Sequence, residues 1–229
     1  MILFQQATGV DSTHIDFESV GQPIHHELCA PWLHLKAAAA DAGLNLCIAS
    51  GYRSFQRQLT IWNNKASGLR PVLDEAGRPV DWSLLRDREK LFAILRWSAL
   101  PGASRHHFGS DIDIYDPSLL PPGCRLQLTR EESSGPLAPL HRWLDGYLAS
   151  SQCGFFRPYS SEQFGVAPEP WHLSYAPLAR QFQGALTLDA LAELLEGTDI
   201  LLKPDILANL PEIFERYVQV PWSRYPSAA

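Results

Sequence analysis

Hydrophobic positions along the chain alternate between helical and strand-like periods, punctuated by clusters of Gly and Pro. In residues 23–43, Leu28, Trp32, Leu35 and Ala39 recur at helical spacing, with Pro31 near the start of the run and Gly43 closing it. The apolar run 44–49 reads as a strand that ends in the turn Ser50-Gly51-Tyr52-Arg53-Ser54. Ser54 stands where a helix N-cap belongs, ahead of a helix carrying Gln58, Leu59, Ile61 and Trp62. Residues 68–81 turn to Gly, Pro and charge, as a loop does, and residues 86–100 follow as a second amphipathic helix with Leu91, Ile94, Leu95 and Ser98 on one face, stopped by Pro101-Gly102.

Asp111-Ile112-Asp113-Ile114-Tyr115 alternates polar with apolar, the pattern of a half-buried strand. Pro and Gly clusters at 117–123 and 135–139 bracket an irregular loop before a helix at 137–150, and Trp171-His172-Leu173-Ser174-Tyr175 alternates again as a strand. Helices mixed with short, separated strands predict an α+β fold with a small, mainly antiparallel sheet flanked by helices. After about residue 183 the pattern changes to three short helices, 186–196, 199–207 and 211–218, none of which carries candidate chemistry. The division expected from this is a main domain over 1–184 and a C-terminal helical appendage over 185–229.

Composition narrows the functional classes. The 229 residues are 45% hydrophobic and 19% charged, far from the regime of disordered chains. The formal charge of −6, with the basic residues scattered singly, lacks the footprint of a nucleic-acid binder. Apolar stretches such as 185–195 are broken by Asp and Glu well before the roughly 20 residues that a bilayer span needs. The first residues, Met1-Ile2-Leu3-Phe4-Gln5-Gln6, have neither a basic segment nor an apolar one, so no export signal is visible and a cytoplasmic location is expected, or a periplasmic one if a leader has been removed. Cys29, Cys47, Cys124 and Cys153 are far apart with no C-x-x-C pair, which argues against a thiolate zinc site and predicts small buried hydrophobes.

Three segments carry polar groups that need partners: residues 50–58 (SGYRSFQRQ), 104–113 (SRHHFGSDID) and 169–172 (EPWH). A catalytic zinc site needs three nitrogen or oxygen ligands, an open position and a carboxylate base nearby, and these segments supply that inventory. His106 precedes Asp113 by seven residues with Gly109 between them to let the chain turn, and His172 could close the set from a neighbouring strand, with Glu169 three residues earlier. Taken one at a time each has a bland reading: His106 or His107 as a capping or surface histidine, Asp113 as a turn residue, Glu169 as a solvated charge.

Together the three blocks resemble the zinc D-alanyl-D-alanine carboxypeptidases and dipeptidases of the VanY-like group, whose fold is shared with the amino-terminal domain of sonic hedgehog and with lysostaphin-type peptidases. The group's patterns are S-G-Y-R-S-x-x-x-Q, S-x-H-x-x-G-x-A-x-D and E-x-W-H. Here they stand as Ser50-Gly51-Tyr52-Arg53-Ser54 with Gln58, Ser104 and His106 with Gly109 and Asp113, and Glu169 with Trp171-His172. The resemblance covers roughly residues 25–180 and implies His106, Asp113 and His172 as ligands of one zinc per chain, Glu169 as the catalytic base and Arg53 as the partner of the scissile carbonyl oxygen. Gln58 and Ser104 are implied as substrate contacts, and Tyr52 and Trp171 are either cleft walls or ordinary core aromatics. One position departs from the pattern: the group's Ala two residues before the ligand Asp is Asp111, which shares a strand face with Asp113 and is read as an acceptor behind the ligands or a surface charge.

The resemblance implies a zinc carboxypeptidase acting on peptidoglycan peptide stems or muropeptides and releasing a C-terminal D-alanine. An L,D-carboxypeptidase or endopeptidase on the same peptide, or a zinc-bearing binding module without catalysis, are the alternatives. A binder needs neither Glu169 nor Arg53, so the presence of both favours catalysis.

Overall fold

The structure, a computed structural model, describes residues 2–74, 77–150, 153–161 and 165–226. Local capping follows the sequence closely. The Ser54 hydroxyl accepts from Arg57 N–H at 3.2 Å, and Thr129 and Thr187 cap later helices the same way. In chain order the helices are α1 (Phe4–Ala7), α2 (Cys29–Asp41), α3 (Phe55–Ala66), α4 (Asp87–Leu95), α5 (Arg130–Ser134), α6 (Ala138–Ser150), α7 (Ala176–Ala185), α8 (Leu188–Glu196), α9 (Lys203–Ala208) and α10 (Leu210–Ile213). The strands are β1 (Ile15–Asp16), β2 (Ile24–His25), β3 (Cys47–Ser50), β4 (Asp111–Tyr115), β5 (Phe155–Phe156) and β6 (His172–Tyr175).

Strands β3, β4, β6 and β5 form one antiparallel sheet in that order, and β1 pairs with β2 apart from it. The α+β class with a small antiparallel sheet is therefore what the alternating segments predicted. Within the sheet, Asp113 lies directly opposite His172, Ile112 opposite Leu173 and Asp111 opposite Ser174. One face carries Ile48, Ile112, Ile114 and Leu173, packed with Trp32, Leu35 and Ala39 of α2 and Leu140 and Leu144 of α6. The other face carries Asp111, Asp113, His172 and Ser174.

Strand β4 was expected to be half-buried, but Asp111, Ile112, Asp113 and Ile114 are all buried. Its polar face is roofed by the 3-10 turn Arg105–Phe108, so alternation here marks a division between core and site, not between core and water. Between Ile48 and Ser50 the pairing with β4 shifts by a residue, a bulge that leaves Ser50 opposite Asp113 and starts the turn 51–54 beside the polar face. Cys29, Cys47 and Cys153 are half-buried and Cys124 is exposed, so the expectation of buried cysteines fails; all four are free thiols.

The helices expected as an appendage over 185–229 pack closely on the rest of the chain. Leu186, Leu191, Leu195, Ile200, Ile206, Leu210, Ile213 and Val218 share a single core with Leu59 and Trp62 of α3, Leu91, Ile94 and Leu95 of α4, and Phe108 of the roofing turn. Trp62 Nε1–H donates to the Leu201 carbonyl at 3.0 Å, and Arg88 pairs with Glu212 at 3.1 Å. No boundary at residue 184 divides this packing. The amphipathic faces of α3 and α4 face the C-terminal helices, and α7, unforeseen in the sequence, joins the two halves through Phe182 in this core and Leu178 in the other.

A chain shortened after Gly184 is accordingly expected to lose cooperative folding, read by thermal unfolding and gel filtration; a soluble monomer with the melting temperature of the full chain would contradict the shared core. Leu191→Ala, at a fully buried position, should cost about 2–5 kcal/mol in urea unfolding.

Candidate metal centre

The cross-strand pair sets the site. Asp113 and His172 face each other from adjacent strands, and the turn that roofs them delivers His106 from the third direction. Gly109 ends that turn with φ of +67°, and a Cβ there would stand 2.7 Å from the His25 backbone nitrogen, so both the turn and the close approach to β2 require glycine. Gly51 is constrained differently: a Cβ would fall 2.2 Å from the Pro23 carbonyl oxygen.

Hydrogen bonds assign the ring nitrogens. His106 Nδ1 lies 2.8 Å from the Gly51 carbonyl, which can only accept, so Nδ1 carries the proton and Nε2 presents its lone pair toward Asp113 Oδ2 at 3.3 Å. His172 Nε2 lies 3.1 Å from Asp111 Oδ1, which leaves Nδ1 facing Asp113 Oδ1 at 3.2 Å. One ligand atom from each of His106, Asp113 and His172 lies within 4.8 Å of the others. Ligand atoms held tetrahedrally at about 2.0–2.2 Å from a zinc ion lie about 3.3 Å apart, so this donor set fits such an ion. Second partners behind each imidazole are the usual means of fixing a metal-binding ring.

Burial opposes the ionised form of Asp113, yet His106 and His172 hold its carboxyl far below the usual range. Burial works against the His172 cation too, but its bonds to Asp111 and Asp113 push it up to about 9, as expected of a ring standing among carboxylates. Burial pushes Glu169 up to about 7; its Oε2 lies 3.6 Å from His172 Nδ1, outside the three-atom cluster.

The sequence pattern of the VanY family, described as D-alanyl-D-alanine carboxypeptidase, matches residues 21–178. The chain belongs to this family. It is thus a peptidase of the class that acts on peptidoglycan peptides. A D-alanyl-D-alanine carboxypeptidase of Enterococcus faecalis is 30% identical over 142 residues, a match that takes in 61% of this chain and 42% of that protein. An uncharacterized protein of Haemophilus influenzae is 35% identical over 123 residues, 52% of this chain and 92% of its own length. The solved structure of VanYB in complex with D-Alanine-D-Alanine superposes with a TM-score of 0.50 at 25% identity, covering 78% of this chain and 87% of that one. A VanY D,D-pentapeptidase variant in complex with Zn(II) has the same fold, with a TM-score of 0.50 at 22% identity over 86% of this chain and 92% of its own.

The family's motif residues converge, with differences in detail. Arg53 is held by Gln58 Oε1, which accepts from Nη1 at 3.0 Å, and by Ser50 Oγ, which accepts from Nη2 at 3.2 Å; it feels the charges of Asp113 and Glu169. Gln58, expected to touch substrate, is fully buried, and its Nε2 donates to the Ala99 carbonyl at 2.7 Å. Both ends of its amide are engaged within the protein, so it positions Arg53. Ser104, the other expected contact, is 1% exposed and begins the roofing turn, its carbonyl accepting from His107 N–H.

His107 Nδ1 bonds to the Arg53 carbonyl at 2.5 Å while Nε2 accepts from Gly102 N–H at 3.2 Å, and burial holds this ring neutral, down to about 3. It is a strut of the turn. Trp171 is a core aromatic, whereas Tyr52 is half-buried with its ring against His14 and Phe17. Two site residues went unforeseen in the sequence. Tyr159 lays its ring edge on His172 at 5.0 Å between centroids, and Arg105, hidden among the variable positions of a motif, pairs with Asp111 at 2.7 Å. Only the departure at Asp111 hinted that a buried cation would be needed.

Gln58→Met keeps the volume but deprives Arg53 Nη1 and the Ala99 carbonyl of their partner, an expected cost of about 1–3 kcal/mol in denaturant unfolding. An unchanged unfolding midpoint would show that the amide holds nothing in place.

Proposed function

We propose that the chain is a zinc-dependent carboxypeptidase that hydrolyses the peptide stem of peptidoglycan or its precursors and releases a C-terminal D-alanine. The observation that carries this reading is the placement of a buried carboxylate, Glu169, and a buried guanidinium, Arg53, around one His–Asp–His donor set. His106 Nε2, His172 Nδ1 and Asp113 would hold one zinc ion, in keeping with the Zn(II) found in a VanY relative of the same fold. When bound, zinc supplies Lewis acidity, lowering the pKa of water toward about 7 and polarising a carbonyl.

Glu169 takes the proton from the attacking water and later returns it to the departing amine. Its carboxyl, raised to about 7 by burial, is near the optimum for moving a proton in both directions at neutral pH, and a dication beside it favours the basic form. Arg53 donates to the scissile carbonyl oxygen as that oxygen gains charge. Its forked donors are already aimed by Gln58 and Ser50, so little reorganisation accompanies the reaction.

Glu169→Gln is expected to leave zinc content at one per chain while lowering turnover by about 10²- to 10⁴-fold. Loss of metal together with activity would make Glu169 a ligand, and retained activity would remove it from the mechanism. Arg53→Lys keeps the charge and loses the fork, with an expected drop in kcat of about tenfold or more. Tripeptide, tetrapeptide and pentapeptide stems analysed by mass spectrometry identify the bond. Release of one alanine from the pentapeptide supports the proposal; cleavage of the tetrapeptide alone makes the protein an L,D-carboxypeptidase, and an internal cut makes it an endopeptidase. No cleavage of any stem by zinc-loaded protein favours a binding module.

A further inference from the structure

Behind the donor set lies a second, buried polar cluster, which meets the site through Asp111. Arg105 is 2% exposed, Asp111 fully buried, and Arg105 Nε donates to Asp111 Oδ1 at 2.7 Å. Ser110 Oγ donates to Asp111 Oδ2 at 2.7 Å, and Arg105 Nη2 donates to Ser174 Oγ at 2.7 Å. The remaining guanidinium nitrogen, Nη1, donates to Gln183 Oε1 and to Tyr225 Oη, each at 3.1 Å. Tyr225 Oη in turn donates to Gln183 Oε1 at 2.9 Å, and Gln183 Nε2 donates to the Val220 carbonyl at 2.8 Å. Gln183, Val220 and Tyr225 all lie beyond residue 178, where the family pattern stops.

This cluster ends on a proposed metal ligand. Asp111 Oδ1 is shared between Arg105 Nε and His172 Nε2, so the same carboxylate oxygen answers both to the C-terminal segment and to the imidazole. Where the family pattern has alanine this chain has a carboxylate on the same strand face as Asp113, which left bare would compete for a cation. Arg105 neutralises it from behind, and the remaining contacts allow Asp111 to act only as an acceptor. We propose that Tyr225 and Gln183 are positioning residues of the metal centre: they brace Arg105 against Asp111, and Asp111 thereby holds the His172 ring with Nε2–H turned away and Nδ1 directed at the metal. The C-terminal segment then acts as a strap whose seating is coupled to metal affinity. This inference rests on the reading of His172 as a zinc ligand.

The test is zinc affinity of the full chain, measured by competition with a chelator, together with the ¹⁵N chemical shifts of the His172 ring in the zinc-loaded protein. Wild type is expected to show Nε2 protonated and Nδ1 bound to metal. Asp111→Asn removes the anionic acceptor and should weaken zinc binding by about 10- to 100-fold with a change in the His172 ring pattern. Tyr225→Phe deletes one hydroxyl that never approaches the donor set and should weaken zinc binding in the same direction by about 2- to 10-fold, the worth of a single hydrogen bond. That variant keeps the ring and its packing on Phe156, so it reports even if Asp111→Asn does not fold. Normal zinc affinity and an unchanged His172 ring in Tyr225→Phe would overturn the strap. Folded wild type that takes up no zinc would instead overturn the metal reading, and this inference with it.

Discussion

The site depends on the register between β4 and β6. Asp113 faces His172 only because Ile112 faces Leu173, and a slip of β6 by one residue would turn Leu173 into the site and His172 into the core. What forbids the slip lies on the opposite side of the sheet. Ile112, Ile114 and Leu173 are fully buried against α2 and α6, and burial of each side chain contributes about 1.5–3 kcal/mol relative to exposure. Hydrophobic packing on one face thus places the polar chemistry on the other.

That polar face concentrates charge where water is scarce. Asp111 and Asp113 are buried two residues apart, and both stay ionised, Asp111 held down to about 2 against its burial chiefly by Arg105. A buried pair rarely adds net stability over apolar residues of the same shape, so its place here is better explained by what it orients. Both imidazoles of the donor set follow one logic, in which a fixed acceptor takes one ring proton and so exposes the other nitrogen. For His106 the acceptor is the Gly51 carbonyl, available only because a residue without Cβ lets the backbone pass close to Pro23; for His172 it is Asp111.

Much of this was legible in the sequence, and for identifiable reasons. Strands β3, β4 and β6 and helices α2, α3, α4 and α6 announced themselves through periodicity and caps such as Ser54. His106, Asp113, His172 and Glu169 stood out through the resemblance of three ordered motifs, since spacing alone left each of them an ordinary structural reading. For Gln58 and Ser104 a motif position says that a polar group is needed, not whether its partner is substrate or protein; in the structure the Gln58 amide bonds Arg53 and the Ala99 carbonyl. Tyr159 had no signal, since its place against His172 comes from a loop lacking any period. Among the short elements, β1, β2 and β5 have two residues each, too few for alternation to register.

The C-terminal region carries no candidate chemistry but takes part in the packing that supports the site. Residues 186–218 carry no nucleophile or metal ligand, yet their apolar faces complete a core that α3 and α4 cannot close alone. Helix α3 bears Gln58, which bonds Arg53, and one turn further on Trp62, which bonds the Leu201 carbonyl, so the orientation of the Arg53 turn and the packing of the tail are borne by one rigid element. Because interiors are close-packed, a shift of the tail helices cannot be absorbed locally and must move α3, and with it the turn that presents Arg53. The same region returns to the sheet through α7, Gln183 and Tyr225 on the side of His172. Both walls of the site, the Arg53 turn and the His172 strand, are therefore buttressed by sequence outside the family pattern, and the geometry of the site does not end where that pattern does.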